Sequence, residues 1–215
     1  MRWLTALLML ALFSVFLVAE EKSPRLRWTK DDLGKVPAGW TAAKTGKGDG
    51  SAWKVTADDS APSKTGLVLA QTAAGPSRLF NLCVADDGSY KDVQVQVIFK
   101  AVRGKEDQGG GIVWRYQDAN NYYVARMNPL ESNYRVYKVV DGKRTQLGTK
   151  EDLKIPTGEW HVLKIKQAGE RIECWLDGKK YLDAKDDTFT KAGKIGLWTK
   201  ADAQTYFDLL LVAGR

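Results

Sequence analysis

The sequence has one histidine and two cysteines among its 215 residues. Transition-metal centres need several imidazole or thiolate ligands together, and a catalytic thiol needs a base beside it. His161 begins a strand-like segment, and this imidazole base does not stand next to Cys83 or Cys174 in the sequence. We therefore expect no metal and no cofactor, apart from a structural calcium ion to which Asp208 could contribute one carboxylate.

The chain also lacks a cluster of one charge sign, a low-complexity segment and a repeat of fixed period. It has 33 Lys and Arg against 26 Asp and Glu, which gives a formal net charge of +7. These charges are interleaved, whereas a nucleic-acid-binding protein usually concentrates its basic residues on one element. The composition predicts no nucleic-acid partner and leaves room only for weak attraction to acidic polymers.

Long apolar segments are absent except at the start. Met1-Arg2 precedes an apolar run from residue 3 to Ala19, and Glu20-Glu21 then interrupts it. This order predicts a signal peptide over residues 1–19, a secreted or periplasmic protein, and no membrane contact after cleavage. The alternative is an uncleaved anchor, because the run is near the lower length limit for crossing a bilayer.

No segment has the pattern of a convincing amphipathic helix. Instead, eleven or twelve short segments rich in aromatic and β-branched residues are separated by turns, which is typical of an all-β sandwich. Asp141-Gly142 and Asp177-Gly178 each predict a tight hairpin, since a type I′ turn needs positive φ at both central residues. We expect an irregular segment over 20–50 and the sandwich domain over 51–215.

Three consecutive antiparallel strands are predicted between Gly109 and Val140. If Gln117 pairs with Tyr122, the side chains of one face of the sheet belong to the core: Trp114, Ala125 and Met127. The side chains of the opposite face, which meets solvent or a ligand, are Arg115, Tyr122, Arg126 and Asn128. A slip of one residue would exchange the two faces.

The same segments carry a family resemblance. The segment from Gly109 to Tyr123 reads Gly-Gly-Gly-Ile-Val-Trp-Arg-Tyr-Gln-Asp-Ala-Asn-Asn-Tyr-Tyr. With Trp160-His161, Leu176-Asp-Gly-Lys, Gly196-Leu-Trp and Tyr206-Phe-Asp, it resembles the concanavalin-A-like jelly rolls of the laminin-G type. More narrowly, it resembles the secreted domain family named for 3-keto-disaccharide hydrolases. The resemblance extends from about Trp53 to Val212. It implies a β-sandwich of two antiparallel sheets, with a sugar groove on the concave face of one.

Saccharide binding needs planar hydrogen-bonding groups for hydroxyls and flat apolar surfaces for sugar rings. The candidate residues for binding a mono- or disaccharide are Arg115, Tyr122, Arg126, Asn128 and Arg135. The alternative is that the aromatic residues belong to the core of the sandwich and that the arginines are ordinary surface residues. Arg126 and Arg135 favour a functional role, because two arginines on successive strands repel each other unless a partner satisfies them.

Glycoside hydrolysis usually needs two carboxylates across the bond. The Glu-x-Asp-x-x-Glu strand of jelly-roll glucanases is absent, and the candidate acids all lie in loops or turns: Glu106, Asp107, Asp118, Glu131 and Asp202. Glu131 is the best placed of them as a proton donor or acceptor, with a solvated loop acid as the alternative. Three functions stay open: a glycan-binding domain, an enzyme acting on 3-keto-glycosides, and a laminin-G-like protein-interaction module.

Cys83 and Cys174 both lie in apolar, strand-like segments. Export would allow a disulfide between them. Two buried free thiols are the alternative, since cysteine packs well as a small hydrophobic residue.

Overall fold

The computed structural model describes residues 28–214, so the predicted signal peptide lies outside the described residues. One 3-10 helix, Lys30–Asp32, precedes fourteen strands. The strands are β1 Trp40–Thr45, β2 Trp53–Ala57, β3 Leu67–Gln71, β4 Phe80–Ala85, β5 Val93–Arg103, β6 Gly110–Asp118, β7 Asn121–Asn128, β8 Asn133–Val140, β9 Lys143–Lys150, β10 Trp160–Ala168, β11 Arg171–Leu176, β12 Lys179–Lys185, β13 Lys194–Lys200 and β14 Gln204–Gly214.

The strands form two antiparallel sheets of seven. The first sheet has the order β1-β4-β13-β6-β7-β8-β9, and the second has the order β12-β11-β10-β5-β14-β3-β2. The sheets stack with β6 near β5 and β10, and with β9 near β12. This arrangement confirms the predicted all-β jelly-roll sandwich. Within residues 28–214, no helix is long and apolar enough to cross a membrane.

The main core lies between the two sheets. Strand β5 buries alternate residues, from Val93 to Phe99, as expected for a strand with one face on the core. The first sheet contributes Trp114, Ala125 and Met127 to the same core. The inward face predicted for the central strands is therefore confirmed.

Both Asp-Gly pairs form the predicted hairpins. Asp141 and Gly142 have φ of 48° and 75°, and Asp177 and Gly178 have φ of 48° and 78°. These pairs connect β8 to β9 and β11 to β12. Positive φ at both central residues is the type I′ requirement.

The sandwich begins earlier than the predicted boundary at residue 51. Strand β1 pairs with β4 along its whole length, from Trp40 opposite Ala85 to Thr45 opposite Phe80. Trp40 also packs edge-on against Trp28, with ring centroids 6.5 Å apart. The β1 sequence has no clear alternation of apolar and polar residues, because only its two ends are buried. The segment expected to be irregular thus contributes an edge strand.

The pairing of β6 with β7 differs from the predicted register. Trp114 lies opposite Tyr123, and Asp118 lies opposite Asn121, with a bulge between these pairs. The shift of two residues keeps Trp114 and its partners on their predicted faces, because side chains alternate with period two. The bulge changes only what lies inside it, and Arg115 lies there with φ of 44°.

The predicted disulfide does not form in the structure, where Cys83 and Cys174 are free and buried. Cys83 lies on β4 of the first sheet and Cys174 on β11 of the second. Tyr134 of β8 faces β11, since its hydroxyl donates to the carbonyl of Trp175 at 3.2 Å. Four strand spacings of about 4.8 Å separate β4 from β8. A disulfide needs Cα atoms within about 7 Å, so the sandwich keeps these thiols apart.

Candidate functional site

The candidate site lies on the outer face of the first sheet, which points away from the second sheet. Strand alternation brings the polar members to this face from β7, β8 and the turn between them: Arg126, Asn128, Glu131, Asn133 and Arg135. We call these five residues the arginine cluster. The sequence predicts four of them as site residues and gives no such indication for Asn133.

Arg126 is the centre of the arginine cluster. Its side chain is 1% exposed. Nη1 donates to Asn133 Oδ1 at 2.9 Å, and Nη2 donates to Glu131 Oε2 at 2.7 Å. Its Nε is buried and has no hydrogen-bond partner among the described residues. Buried donors are rarely left unpaired, so this atom marks a place where an acceptor is missing.

Two glycines allow this close packing. A side chain at Gly111 would place Cβ 2.4 Å from the Ala125 carbonyl oxygen and 2.9 Å from Arg126 Cβ. Gly109 has φ of 90°, and a Cβ there would lie 2.1 Å from the Met127 carbonyl oxygen. The glycine run is therefore needed where β6 pairs with the part of β7 that carries Arg126.

Glu131 forms the accessible rim of the cluster, with 36% of its side chain exposed. Asn133 Nδ2 donates to its Oε2 at 3.2 Å, and Arg135 Nη1 lies 3.5 Å from the same oxygen. Burial opposes ionisation, but the hydrogen bond and charge of Arg126, with those of Asn133 and Arg135, outweigh it and lower the pKa of Glu131 to about 2. Glu131 is therefore a carboxylate at neutral pH and a weak proton donor.

A second charged group adjoins the cluster. Asp107 is 1% exposed, and its two oxygens accept from Asn128 Nδ2 at 2.9 Å and Lys200 Nζ at 2.8 Å. Burial raises the pKa of Asp107, although the charges of Arg126 and Lys200 oppose that rise. Asp202 fixes this loop by accepting from the backbone N–H groups of 105–107. Asp107 was on the list of candidate acids, whereas Lys200 gave no signal in the sequence.

Arg144 of β9 is a further residue that the sequence did not indicate. Its guanidinium carbon lies 4.3 Å from the ring centroid of Tyr137, 5.1 Å from that of Phe80 and 5.9 Å from that of Trp198. We call these three rings the aromatic platform. Its members come from β8, β4 and β13, so no local motif could have revealed it.

Two sequence-predicted binding residues lie apart from the cluster. Tyr122 shares the outer face but is fully buried at the other end of β7, where its hydroxyl lies 2.8 Å from Thr45 Oγ1. Arg115 does not reach the site. Its guanidinium donates to the backbone carbonyls of Lys91, Phe189 and Gly169 at 2.6–2.8 Å. The bulge turned it away from the face on which simple alternation placed it.

The carboxylate of Asp208, the residue considered for a calcium site, is held by hydrogen bonds from backbone N–H groups. It accepts from Ser63 N at 2.7 Å and Leu209 N at 2.9 Å. Residues 28–214 contain no group of three or more His, Cys, Asp or Glu side chains that could hold a metal ion.

Two shallow pockets of about 290 Å³ lie elsewhere on the described surface. One lies against residues 92–94 and 166–168, and the other against residues 188–191. Neither is lined by an arginine, and neither contains a buried donor without a partner. The arginine cluster is therefore the better candidate.

Fold and site together define a jelly-roll sandwich with a polar, arginine-rich outer face. The chain belongs to the 3-keto-alpha-glucoside-1,2-lyase-like domain family, whose model matches residues 28–211. This match confirms the family resemblance read from the sequence, and it places the chain among carbohydrate-active jelly-roll domains.

Several known proteins are similar to this chain. An extracellular exo-alpha-L-arabinofuranosidase of Streptomyces chartreusis is 27% identical over 141 residues, which is 65% of this chain and 16% of that protein. The chain thus corresponds to a small part of that curated relative. The carbohydrate-binding module CBM66 of Bacillus subtilis superposes with a TM-score of 0.66 at 20% identity, covering 82% of this chain and 96% of the module. A Bacillus licheniformis β-glucanase superposes with a TM-score of 0.58 at 13% identity, covering 86% of this chain and 96% of the glucanase chain. These structural likenesses show the fold alone.

Proposed function

We propose that this protein is an exported saccharide-binding domain and that a mono- or disaccharide binds on the outer face of the first sheet. One observation carries the proposal. Planar hydrogen-bonding groups from two strands and their turn converge beside an aromatic platform, and one of their buried donors, Arg126 Nε, lacks an acceptor. Sugar hydroxyls supply acceptors in this geometry.

The accessible side chains indicate where a ligand would enter. Arg126 and Asn128 are buried, whereas Glu131, Arg135 and Lys200 are 36%, 26% and 16% exposed at their side chains. A saccharide would contact this rim first and then Arg126 beneath it. Tyr116, half-buried and stacked near Tyr122 with centroids 6.1 Å apart, offers an aromatic surface farther along the same face.

The names of related proteins support a carbohydrate partner and export. One solved structure with this fold is a carbohydrate-binding module, and the curated relative is named as extracellular. The apolar run that ends at Ala19 independently supports export.

The test of saccharide binding is a glycan array followed by calorimetry, with Arg135→Ala as the variant. Arg135 donates to Thr149 and Glu151, which are both exposed, so its removal should barely change the melting temperature. We expect binding to weaken by about 1–3 kcal/mol, the usual contribution of a charge-assisted hydrogen bond.

Arg171→Ala is the matched control, because Arg171 is an exposed arginine paired with an exposed carboxylate, Asp183, on the second sheet. It should bind the saccharide normally. Equal binding by Arg135→Ala and the unchanged protein would place the site elsewhere.

The family match also favours a second function, cleavage of 3-keto-glycosides. The hydrogen next to a keto group is acidic, and an arginine fork can stabilise the oxyanion formed when that proton leaves. Glu131, which is ionised at neutral pH, would accept the proton from the carbon between the keto group and the glycosidic carbon. The electron pair of that C–H bond would form a C=C bond as the glycosidic C–O bond breaks. The leaving oxygen would take a proton from water and depart as an alcohol, and Glu131 would return its proton to solvent. A turnover assay with 3-keto-glycosides tests this: Glu131→Gln should abolish cleavage while saccharide binding persists. Turnover that survives Glu131→Gln would exclude this role.

A further inference from the structure

Arg144 is the basic residue of this face whose charge is left without a counter-ion. The other three form ion pairs: Arg126 with Glu131 at 2.7 Å, Arg135 with Glu151 at 3.0 Å, and Lys200 with Asp107 at 2.8 Å. No carboxylate in residues 28–214 lies within ion-pair distance of Arg144. Among these four basic residues, Arg144 is therefore the one without an acid paired to it in residues 28–214.

The surroundings of Arg144 make that charge costly. Its Nη1 is buried and has no hydrogen-bond partner among the described residues. Burial lowers the pKa of Arg144, and the nearby positive charge of Arg126 adds to that change. Tyr137 and the more distant carboxylates of Asp107 and Glu131 oppose it. A guanidinium lying on aromatic rings gains cation–π attraction, but its N–H edges still need acceptors.

Arg126 presents the same need on the same face, because its Nε also lacks a partner. Two arginines with unpaired donors repel each other, and an anion bound between them would remove both the repulsion and the unpaired donors. A neutral sugar hydroxyl could accept one of these hydrogen bonds, but it would leave Arg144 without an ion-pair partner. A carboxylate accepts through two oxygens and matches the planar fork of arginine.

We propose that the saccharide recognised at this site is acidic, with the carboxylate of a uronic acid unit held by Arg144 and Arg126 Nε. This proposal rests on the saccharide-binding function proposed above and adds the chemical class of the sugar. The aromatic platform then holds Arg144 flat and oriented before the ligand arrives, which reduces the entropy lost on binding.

The experiment compares matched ligands on the purified full chain by calorimetry: disaccharides of galacturonate and glucuronate, their methyl esters, and the corresponding neutral disaccharides. The ester keeps the shape of the uronate and removes its charge. We expect at least one acid to bind about tenfold more tightly than its ester, the effect expected of a charge-assisted contact. This advantage should shrink as salt is raised, because salt screens the attraction.

Two variants test whether Arg144 causes the preference for the acid over its ester. Arg144→Gln should reduce the affinity for the acid about tenfold and leave the ester nearly unchanged. Arg103→Gln removes the same charge from an exposed position on β5 of the second sheet and should change neither affinity. The comparison of acid with ester on the unchanged protein needs no variant, so a folding defect in Arg144→Gln would not obscure the answer.

The outcomes separate the two proposals. Equal binding of acids and esters would overturn the acidic-sugar inference and leave saccharide binding intact. An acid preference that survives Arg144→Gln in a folded variant would also overturn it, because the carboxylate would then lie elsewhere. Absence of binding by acids, esters and neutral sugars alike would overturn both.

Discussion

At the scale of single residues, Glu131 shows how neighbours decide what a carboxyl group can do. Its Oε2 accepts from Arg126 and Asn133, and the pKa of Glu131 lies near 2, against an ordinary value of 4.5. Its backbone N–H also donates to Asn128 Oδ1 at 3.1 Å. Glu131 therefore holds the arginine cluster in shape, whether or not it also accepts a proton from a substrate.

The low pKa of Glu131 predicts how the melting temperature depends on pH in the acidic range. A carboxyl group whose folded pKa is lowered stabilises the fold above its ordinary pKa, and this contribution is lost as the pH falls through the folded value. The melting temperature of Glu131→Gln should therefore fall less than that of the unchanged protein between pH 5 and pH 2. Thermal melts across this range measure the difference.

Glu159→Gln is the control for the acid-stability experiment, because Glu159 is exposed and lies on the turn before β10. Other carboxyl groups with a pKa near 2, such as Asp186, titrate in all three proteins and cancel in the comparison. Parallel curves for Glu131→Gln and the unchanged protein would contradict the ion pairing described here.

Asp202 is a positioning residue for the second charged group of the site. Its carboxylate accepts backbone hydrogen bonds of 2.7–3.2 Å from residues 105–107. The same loop passes close to itself at Gly104, where a Cβ would lie 1.8 Å from the carbonyl oxygen of Asp107. Asp107 can hold Asn128 and Lys200 only if this loop keeps its shape.

We expect Asp202→Ala to lower the free energy of unfolding by about 1–3 kcal/mol, since several backbone donors lose their acceptor. Amide hydrogen exchange at residues 105–107 should accelerate, and saccharide binding should weaken. Asp187→Ala, at an exposed position between β12 and β13, is the control and should change neither. Unchanged exchange in the loop would show that Asp202 does not hold it.

At the scale of strands, the residues of β7 and β8 were predictable and those of β6 and β9 were not. Period-two alternation correctly put Tyr122, Arg126 and Asn128 on one face of β7, and the structure adds Arg135 of β8 to that face. The β6 bulge was invisible in the sequence, because any short strand can absorb an extra residue, and it moved Arg115 out of the site. Arg144 belongs to a strand in which no residue is fully buried, so its position over the aromatic platform depends on packing between distant strands.

The bulge in β6 is itself held by Arg115. This side chain is 2% exposed, and its three hydrogen bonds fix loops before β5 and β13 and the β10–β11 hairpin. Burial lowers the pKa of Arg115, while Tyr123 and the carboxylate of Asp92 oppose that change. The guanidinium thus connects both sheets at one end of the sandwich.

Arg115→Ala should destabilise the fold by about 3 kcal/mol or more, because three backbone carbonyls lose their donor and a cavity replaces a buried side chain. Urea denaturation measures this loss. Saccharide affinity of the folded fraction should stay the same, in contrast to Arg135→Ala. A large loss of affinity without a loss of stability would return Arg115 to the binding site where the sequence pattern first placed it.

At the scale of the whole molecule, hairpin turns and strand spacing were enough to predict the sandwich, because they are local signals. The site depends on contacts that the sequence separates widely. Lys200 and Asp107 meet across 93 positions, and the aromatic platform gathers rings from β4, β8 and β13. Such contacts follow from the order of strands within a sheet, which the sequence pattern does not specify.

The order of strands also decides the state of the cysteines, and this gives a prediction for the whole molecule. Cys83 and Cys174 are fully buried, on strands toward opposite ends of the sandwich, and burial raises the pKa of both thiols. A thiol reagent needs thiolate and access, so the folded protein should not react.

After unfolding without reductant, we expect two reactive thiols per chain, and one in Cys83→Ser. The protein should be taken from an oxidising compartment, where a disulfide would form if the fold allowed it. Two thiols under these conditions mean that the sandwich forms with its cysteines too far apart to join. An absence of reactive thiols in the unfolded protein would instead mean that Cys83 and Cys174 are bridged, and that β4 and β11 lie closer than the sheet order places them.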